Sequence, residues 1–155
     1  KLLHDGIGFN YRMDNIKAAL GVAQMEEVDF LVSSKIGLGK VYDDLLEHEP
    51  RVITPVSRNK ISNVYWMYHL RLCDEISSHR DDILNKLAKI GIGTRPGFVS
   101  YTLQSFCPKE IAYKYPCPVA DGVSYSTFYL PSSHDIDAVS QRRVVSGLSS
   151  ILDSY

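Results

Sequence analysis

No run in these 155 residues approaches the roughly 18 consecutive apolar positions that a membrane-spanning helix needs. The first residues lack the charged-then-apolar order of a secretory signal, so the chain reads as soluble and cytoplasmic, with no membrane partner. Cysteine is scarce: Cys73, Cys107 and Cys117 are odd in number and share no two-residue spacing, which predicts reduced thiols rather than a disulfide framework or zinc knuckle. Charge of one sign is missing too, the net being −1, so there is no basic footprint for nucleic acid. His4, His48, His69, His79 and His134 form no metal-ligand spacing with one another or with carboxylates, and no metal is expected. The chain also has no Gly-x-Ser-x-Gly elbow and no phosphate-cradling glycine loop of Walker or dinucleotide type.

What is present is globular material, 45% hydrophobic and 23% charged, enough for one core. Asp14 suits a helix N-cap, and Ile16, Leu20, Ala23, Leu31, Leu38, Tyr42 and Leu45 recur near helical spacing, predicting one long helix over 14–47. Gly37 and Gly39 each weaken it by about 1 kcal/mol, which puts a bend or break near 33–39. Such a helix would span roughly 50 Å and bridge two bodies. Downstream, a short strand is predicted over 51–55 and a polar loop over 57–63. A strand over 64–72 follows, with Val64, Trp66, Tyr68, Leu70 and Leu72 on its apolar face. Ser78 and Asp81 have capping-box spacing for a helix over 79–90 that Gly91 would close. A strand over 92–98 carries Pro96 and belongs at a sheet edge. After an irregular aromatic stretch come a short helix over 119–125 and a strand over 127–130. A last helix follows Pro131-Ser132-Ser133, with Asp135 and Asp137 in its first turn.

Two polar clusters stand out. Asn10-Tyr11-Arg12 offers an amide, a phenol and a guanidinium just before the cap of the first helix, where an anion would meet free backbone N–H groups. A plain turn in which Tyr11 packs on the helix would look the same. Arg95, held extended by Pro96, has the planar fork that grips a carboxylate or phosphate; an arginine guarding an edge strand is the equal alternative. Phe98 and Tyr101 could line a pocket or simply pack. His69 reads as a half-buried packing residue.

Gly8-Phe9-Asn10-Tyr11-Arg12-Met13 with the helix continuing through Ala18-Ala19-Leu20-Gly21, the segment Gly91-Ile92-Gly93-Thr94-Arg95-Pro96-Gly97-Phe98, and Pro118-Val119-Ala120-Asp121 with Leu130-Pro131 together resemble the C-terminal part of the pyridoxal-phosphate-dependent sugar aminotransferases of DegT/DnrJ/StrS type, in their perosamine-synthase-like members. The fold this implies is α/β to α+β: the C-terminal part of a fold-type-I aminotransferase, with a long interdomain helix and a small antiparallel-sheet domain whose helices lie on one side. The implied division is a cofactor-phosphate loop at the end of a large domain (1–13), the interdomain helix (14–47) and the small domain (48–155). The resemblance implies pyridoxal 5'-phosphate as cofactor and a homodimer with shared active sites, Asn10 reaching the cofactor phosphate of the neighbouring subunit beside Tyr11 and Arg12. It places Arg95, Phe98 and Tyr101 on the substrate side. The implied reaction moves an amino group from an amino acid, glutamate, to a nucleotide-linked keto sugar in amino-sugar and polysaccharide biosynthesis.

The likeness departs at Val99-Ser100-Tyr101-Thr102, where relatives carry a Tyr-Pro-Leu-His-like run; Thr102 stands where their substrate-side histidine would. The chain opens at Lys1, and the resemblance puts the cofactor-bearing lysine, the carboxylate partner of the pyridinium nitrogen and the ring-stacking group well upstream of Asn10. The expectation is therefore a portion of a longer enzyme, with no catalytic residue in this chain and no activity of its own. Two alternatives stay open: a non-catalytic binding domain of the same fold, and a fold-type-I enzyme with a non-sugar substrate.

Overall fold

A computed structural model describes residues 3–56 and 60–155. The expected loop over 57–63 therefore falls partly on 57–59, outside the described residues, as does Lys1. Helix α1 (Asn15–Glu26) starts as its sequence dictates, Asp14 Oδ1 accepting the Lys17 N–H at 2.9 Å. The single helix expected over 14–47 is instead two. Glu27, at φ −105° and ψ 10°, parts α1 from α2 (Val28–Leu46).

Gly37 and Gly39 lie inside α2 rather than at its break. At Gly39 the reason is packing: an added Cβ would overlap the ring of Tyr65. Tyr65 itself sits at φ 45°, in the left-handed region that a bulky residue enters only when its surroundings hold it there. Its N–H donates to Asn63 Oδ1 at 2.9 Å and its hydroxyl to Asp43 Oδ2 at 2.7 Å. That kink breaks the alternation predicted over 64–72. Tyr65 is buried, Val64 and Trp66 are 47% and 68% exposed, and strand β2 begins only at Tyr68 (Tyr68–Leu72).

The sheet is antiparallel throughout, in the order β1 (Val52–Ile53), β2, β4 (Thr127–Leu130), β3 (Arg95–Pro96). Pro96 sits at the edge, as its missing N–H requires, although β3 is far shorter than the strand expected over 92–98. Helix α3 (Arg80–Lys89) follows a 3₁₀ turn over Asp74–His79, and Gly91 ends it at φ 77° with Ile92 N–H bonded to Leu87 O at 3.0 Å. The predicted capping box does not form: Ser78 lies within the 3₁₀ turn and His79 is the N-cap, so Ser78 and Asp81 are out of position, and the Asp81 carboxylate takes the Arg80 guanidinium at 2.8 Å instead. Short α4 (Lys109–Lys114) and α5 (Pro118–Ser126) precede β4. Helix α6 (Ala138–Leu152) is capped by Asp137, which accepts the Ser140 N–H at 2.7 Å.

One apolar cluster joins these pieces. Tyr42 and Leu46 from α2, Leu70 from β2, Leu87 from α3, Phe128 from β4 and Leu148 from α6 are each at most 2% exposed. Burying such a side chain contributes about 1.5–3 kcal/mol, so α2, α3 and α6 hold the sheet's near face. The α+β layer read from the sequence is the one formed. Helix α1 contributes no buried residue.

Candidate functional site

Alternation along β2 sends Tyr68, Leu70 and Leu72 to the helices and turns His69 and Arg71 to the far face of the sheet. The register sets Tyr129 of β4 directly between His69 of β2 and Arg95 of β3. Residues opposite one another share a face, so these three form one cross-strand row. The rings of His69 and Tyr129 stack at 4.6 Å, Phe98 meets Tyr129 edge-on at 5.8 Å, and Trp66 lies over Phe98 at 6.3 Å.

Among the described residues, the Tyr129 hydroxyl, His69 Nε2 and Arg71 Nε are buried without a hydrogen-bond partner. Each such orphan costs about 1–3 kcal/mol, so an incoming polar group gains most here. Burial pushes the Tyr129 phenol pKa up; the Phe98 backbone lies close enough to oppose the rise without reaching hydrogen-bonding geometry. Burial also pushes the His69 imidazole pKa down. The unfolded chain therefore takes up this proton first. Stability from neutral His69 is complete above the ordinary histidine pKa of about 6.5 and is lost as pH falls below it. Denaturant midpoints at pH 7 and pH 5 should fall further apart in the wild type than in His69→Gln. An equal drop in both would show that this imidazole plays no part in acid sensitivity.

Beside the row opens a cleft of about 260 Å³, lined among others by Trp66, Thr94, Arg95, Tyr129 and Ser132. Helix α2 fixes its far wall. Tyr42 Oη donates to Pro131 O at 2.8 Å, Lys35 Nζ donates to Ser132 O, and the Tyr68 N–H donates to Ser132 Oγ at 3.3 Å. Asp43 accepts both Tyr65 Oη and Tyr68 Oη, the latter at 2.6 Å, and burial with this carboxylate raises the Tyr65 pKa to about 12.

Of the residues singled out in the sequence, Arg95 and Phe98 meet at this cleft and its aromatic string. Tyr101 does not join them there; it is 55% exposed on the 3₁₀ turn Tyr101–Leu103 and packs edge-on against Phe106 at 5.8 Å. Asn10, Tyr11 and Arg12 lie exposed on the loop before α1 and, among the described residues, make no hydrogen bond or ion pair. The same N-terminal segment is held to the turn at 101–105: the His4 N–H donates to Gln104 Oε1 at 2.9 Å and Ser105 Oγ donates to His4 O at 2.7 Å.

Thr102, the position at which relatives were expected to carry histidine, turns inward. Its hydroxyl donates to Asp121 Oδ1 and lies 2.8 Å from Ser100 Oγ, and the Ser100 N–H donates to Ser124 Oγ at 2.7 Å. The Thr102 bond, then that of Ser100, holds the Asp121 carboxyl below its usual pKa. Trp66, Tyr129 and Ser132 are cleft residues that the sequence did not disclose. Trp66 looked like a core residue and the Leu130-Pro131-Ser132 run looked purely structural. Among the described residues no helix is long and apolar enough to cross a membrane, and no cluster of three His, Cys, Asp or Glu could hold a metal.

Residues 1–149 match the DegT/DnrJ/EryC1/StrS aminotransferase family. The chain belongs to that family. It is 33% identical over 130 residues to a GDP-perosamine synthase of Vibrio cholerae, a match covering 83% of this chain and 35% of that protein. A GDP-perosamine synthase of Caulobacter vibrioides is 32% identical over 151 residues, covering 94% of this chain and 39% of that protein. The chain thus spans little more than a third of these relatives' length, in their C-terminal portion. Among solved structures, Helicobacter pylori PseC, described as an aminotransferase involved in the biosynthesis of pseudoaminic acid, superposes with a TM-score of 0.78 at 22% identity, over 96% of this chain and 40% of that one. That likeness establishes the fold: the small sheet and its helices are the C-terminal part of a fold-type-I enzyme. The family's members are pyridoxal-phosphate-dependent aminotransferases.

Proposed function

We propose that this chain forms the C-terminal section of an enzyme that moves an amino group from glutamate to a keto sugar linked to a nucleotide, releasing 2-oxoglutarate. The observation that carries the reading is the family match over residues 1–149. The similarity to two GDP-perosamine synthases supports a nucleotide-linked acceptor.

The site residues fit this assignment. Asn10, Tyr11 and Arg12 are a donor set without internal partners, next to the N-terminus of α1, and suit a cofactor phosphate. When bound, pyridoxal phosphate supplies the electron sink for the chemistry; in this chain Asn10 would donate to its phosphate and orient it. Arg95 would hold an anionic group of either substrate, with Phe98 beside it and Tyr101 contributing from the separate 3₁₀ turn. In this reading 1–13 is the phosphate loop, 14–47 the interdomain connection and 48–155 the small domain. The lysine that carries the cofactor belongs to the preceding part of the enzyme, and the 155 residues by themselves are inactive. Phe9, Tyr11, Met13, Ile16, Leu20 and Met25 are each 64–87% exposed, an apolar run that supports burial against the rest of the enzyme and a second subunit.

The test uses the whole protein loaded with pyridoxal phosphate. Glutamate followed by a GDP- or UDP-linked 4-keto-6-deoxy sugar should yield one equivalent each of 2-oxoglutarate and amino sugar by mass spectrometry. If glutamate turns over and no nucleotide-linked keto sugar accepts the amino group, the acceptor assignment is wrong.

A further inference from the structure

His4 is gripped through its main chain. Its N–H donates to Gln104 Oε1 at 2.9 Å and its carbonyl accepts from Ser105 Oγ at 2.7 Å, so two consecutive side chains close on both polar groups of one distant residue. The turn that supplies this grip is itself held. Within it the Leu103 N–H donates to Ser100 O at 3.0 Å and the Gln104 N–H to Tyr101 O at 3.1 Å. Gln104 Nε2 donates to Val99 O at 3.3 Å, so one carboxamide joins His4 to the chain that leaves β3. Helix α5 anchors the whole: Asp121 accepts the Thr102 hydroxyl, and Ser124 Oγ accepts the Ser100 N–H at 2.7 Å. From His4 the chain runs to Asp14, the cap of α1. Residues 5–13, between these two fixed points, are exposed and, among the described residues, make no hydrogen bond or ion pair. Asn10 lies within that span.

We infer that Gln104 and Ser105 are positioning residues for the cofactor site, clamping His4 so that Asn10 meets the phosphate from a span already ordered. The inference rests on the reading of 1–13 as the phosphate loop and goes further by assigning what holds that loop in place. Ordering a backbone at the moment of binding costs affinity, and a span fixed at both ends has given up part of that freedom beforehand. Nothing inside the span can supply this order, because residues 5–13 have no hydrogen bonds of their own among the described residues. Asp14 secures the far end, its carboxylate taking the Lys17 N–H. The near end therefore falls to the turn. Both bonds take the His4 main chain, so the clamp sets the course of the backbone rather than the place of one side chain. Thr102 serves the same end at one remove, its hydroxyl keeping the turn on α5 through Asp121.

The experiment uses the complete enzyme, with pyridoxal phosphate as the probe and its dissociation constant from equilibrium dialysis as the readout. The paired substitution Gln104→Ala with Ser105→Ala should weaken retention about three- to tenfold, while Ser105→Thr alone, which keeps the hydroxyl, stays within about twofold. Thr102→Val should weaken retention in the same direction and Thr102→Ser should not. Thermal unfolding of the cofactor-free paired variant should match wild type, so that the loss reports placement rather than folding. Made on an Asn10→Ala background, the same pair should cost no more than about twofold, because the clamp acts through that amide. An equal loss in the two backgrounds would overturn the inference. So would a wild-type constant for the paired variant alongside weakened retention in Asn10→Ala, a result that leaves the phosphate-loop reading standing. Wild-type constants for both the paired variant and Asn10→Ala would overturn the two together.

Discussion

In the complete enzyme, Asn10→Ala should hold pyridoxal phosphate roughly ten- to hundredfold more weakly than the wild type. The proposed bond runs from the Asn10 carboxamide to a doubly charged phosphate, and a hydrogen bond to a charged group contributes about 1.5–3 kcal/mol, with tenfold in affinity for each 1.4. Nothing within the chain competes for that amide, because Asn10 is exposed and unpartnered among the described residues. For the same reason the substitution should leave the fold alone, so thermal unfolding of the cofactor-free protein should be unchanged. Equilibrium dialysis followed by cofactor absorbance gives the dissociation constant. A value within about twofold of wild type would remove Asn10 from the phosphate site.

Gly39→Ala should lower stability by about 3 kcal/mol, whereas Gly37→Ala, one half-turn earlier in α2, should be neutral or stabilising. Helix propensity favours alanine by about 1 kcal/mol at both positions. At Gly37 no atom lies within 4 Å of an added Cβ, so propensity decides. At Gly39 the Cβ would occupy the ring of Tyr65. Displacing that ring loses its bond to the Asp43 carboxylate, about 1.5–3 kcal/mol, and much of the burial of an aromatic side chain, about 1.5–3 kcal/mol. These losses exceed the propensity gain. For a chain of this size the net corresponds to a melting temperature lower by roughly 6–12 °C. Melting within a degree of wild type would mean that Tyr65 does not rest on Gly39.

Both predictions turn on how local pattern and tertiary packing divide the work. Asp14, Gly91 and Pro96 act through their own backbone or that of near neighbours. Their roles as cap, terminator and edge marker were accordingly legible without a structure, whereas Asp137, expected in the first turn of the last helix, is its N-cap. Glycine inside α2 was misleading. Propensity placed the interruption near 33–39, but a partner 26 residues away explains Gly39, and the chain parts at Glu27 instead. The alternation over 64–72 failed for a related reason: it assumes extended dihedrals at every step, and Tyr65 leaves that region under constraint from Asn63, Asp43 and Gly39. Trp66 thereby passed from the expected core to the rim of the cleft. Thr102 shows the opposite case, a departure visible in the sequence whose consequence, the bond to Asp121, needed the fold to bring positions 102 and 121 together.

The sequence alone determined the order of the strands and of the helices packed on them, the N-cap at Asp14 and the edge at Pro96, the absence of a membrane-length apolar run, and, through its contiguous motifs, the family. All of these depend on neighbours within a few positions or on residue identity itself. The parting at Glu27 and the short α4 within the stretch expected to be irregular came only with the structure. Tertiary structure decided which side chains share a face. The row of His69, Tyr129 and Arg95 comes from strands whose register is set by long-range pairing, and the cleft wall comes from Lys35 and Tyr42 reaching a loop almost a hundred residues away. Local dihedral preferences act over a few residues, whereas a site is built where distant segments must share one buried volume, and only the packed chain satisfies that condition.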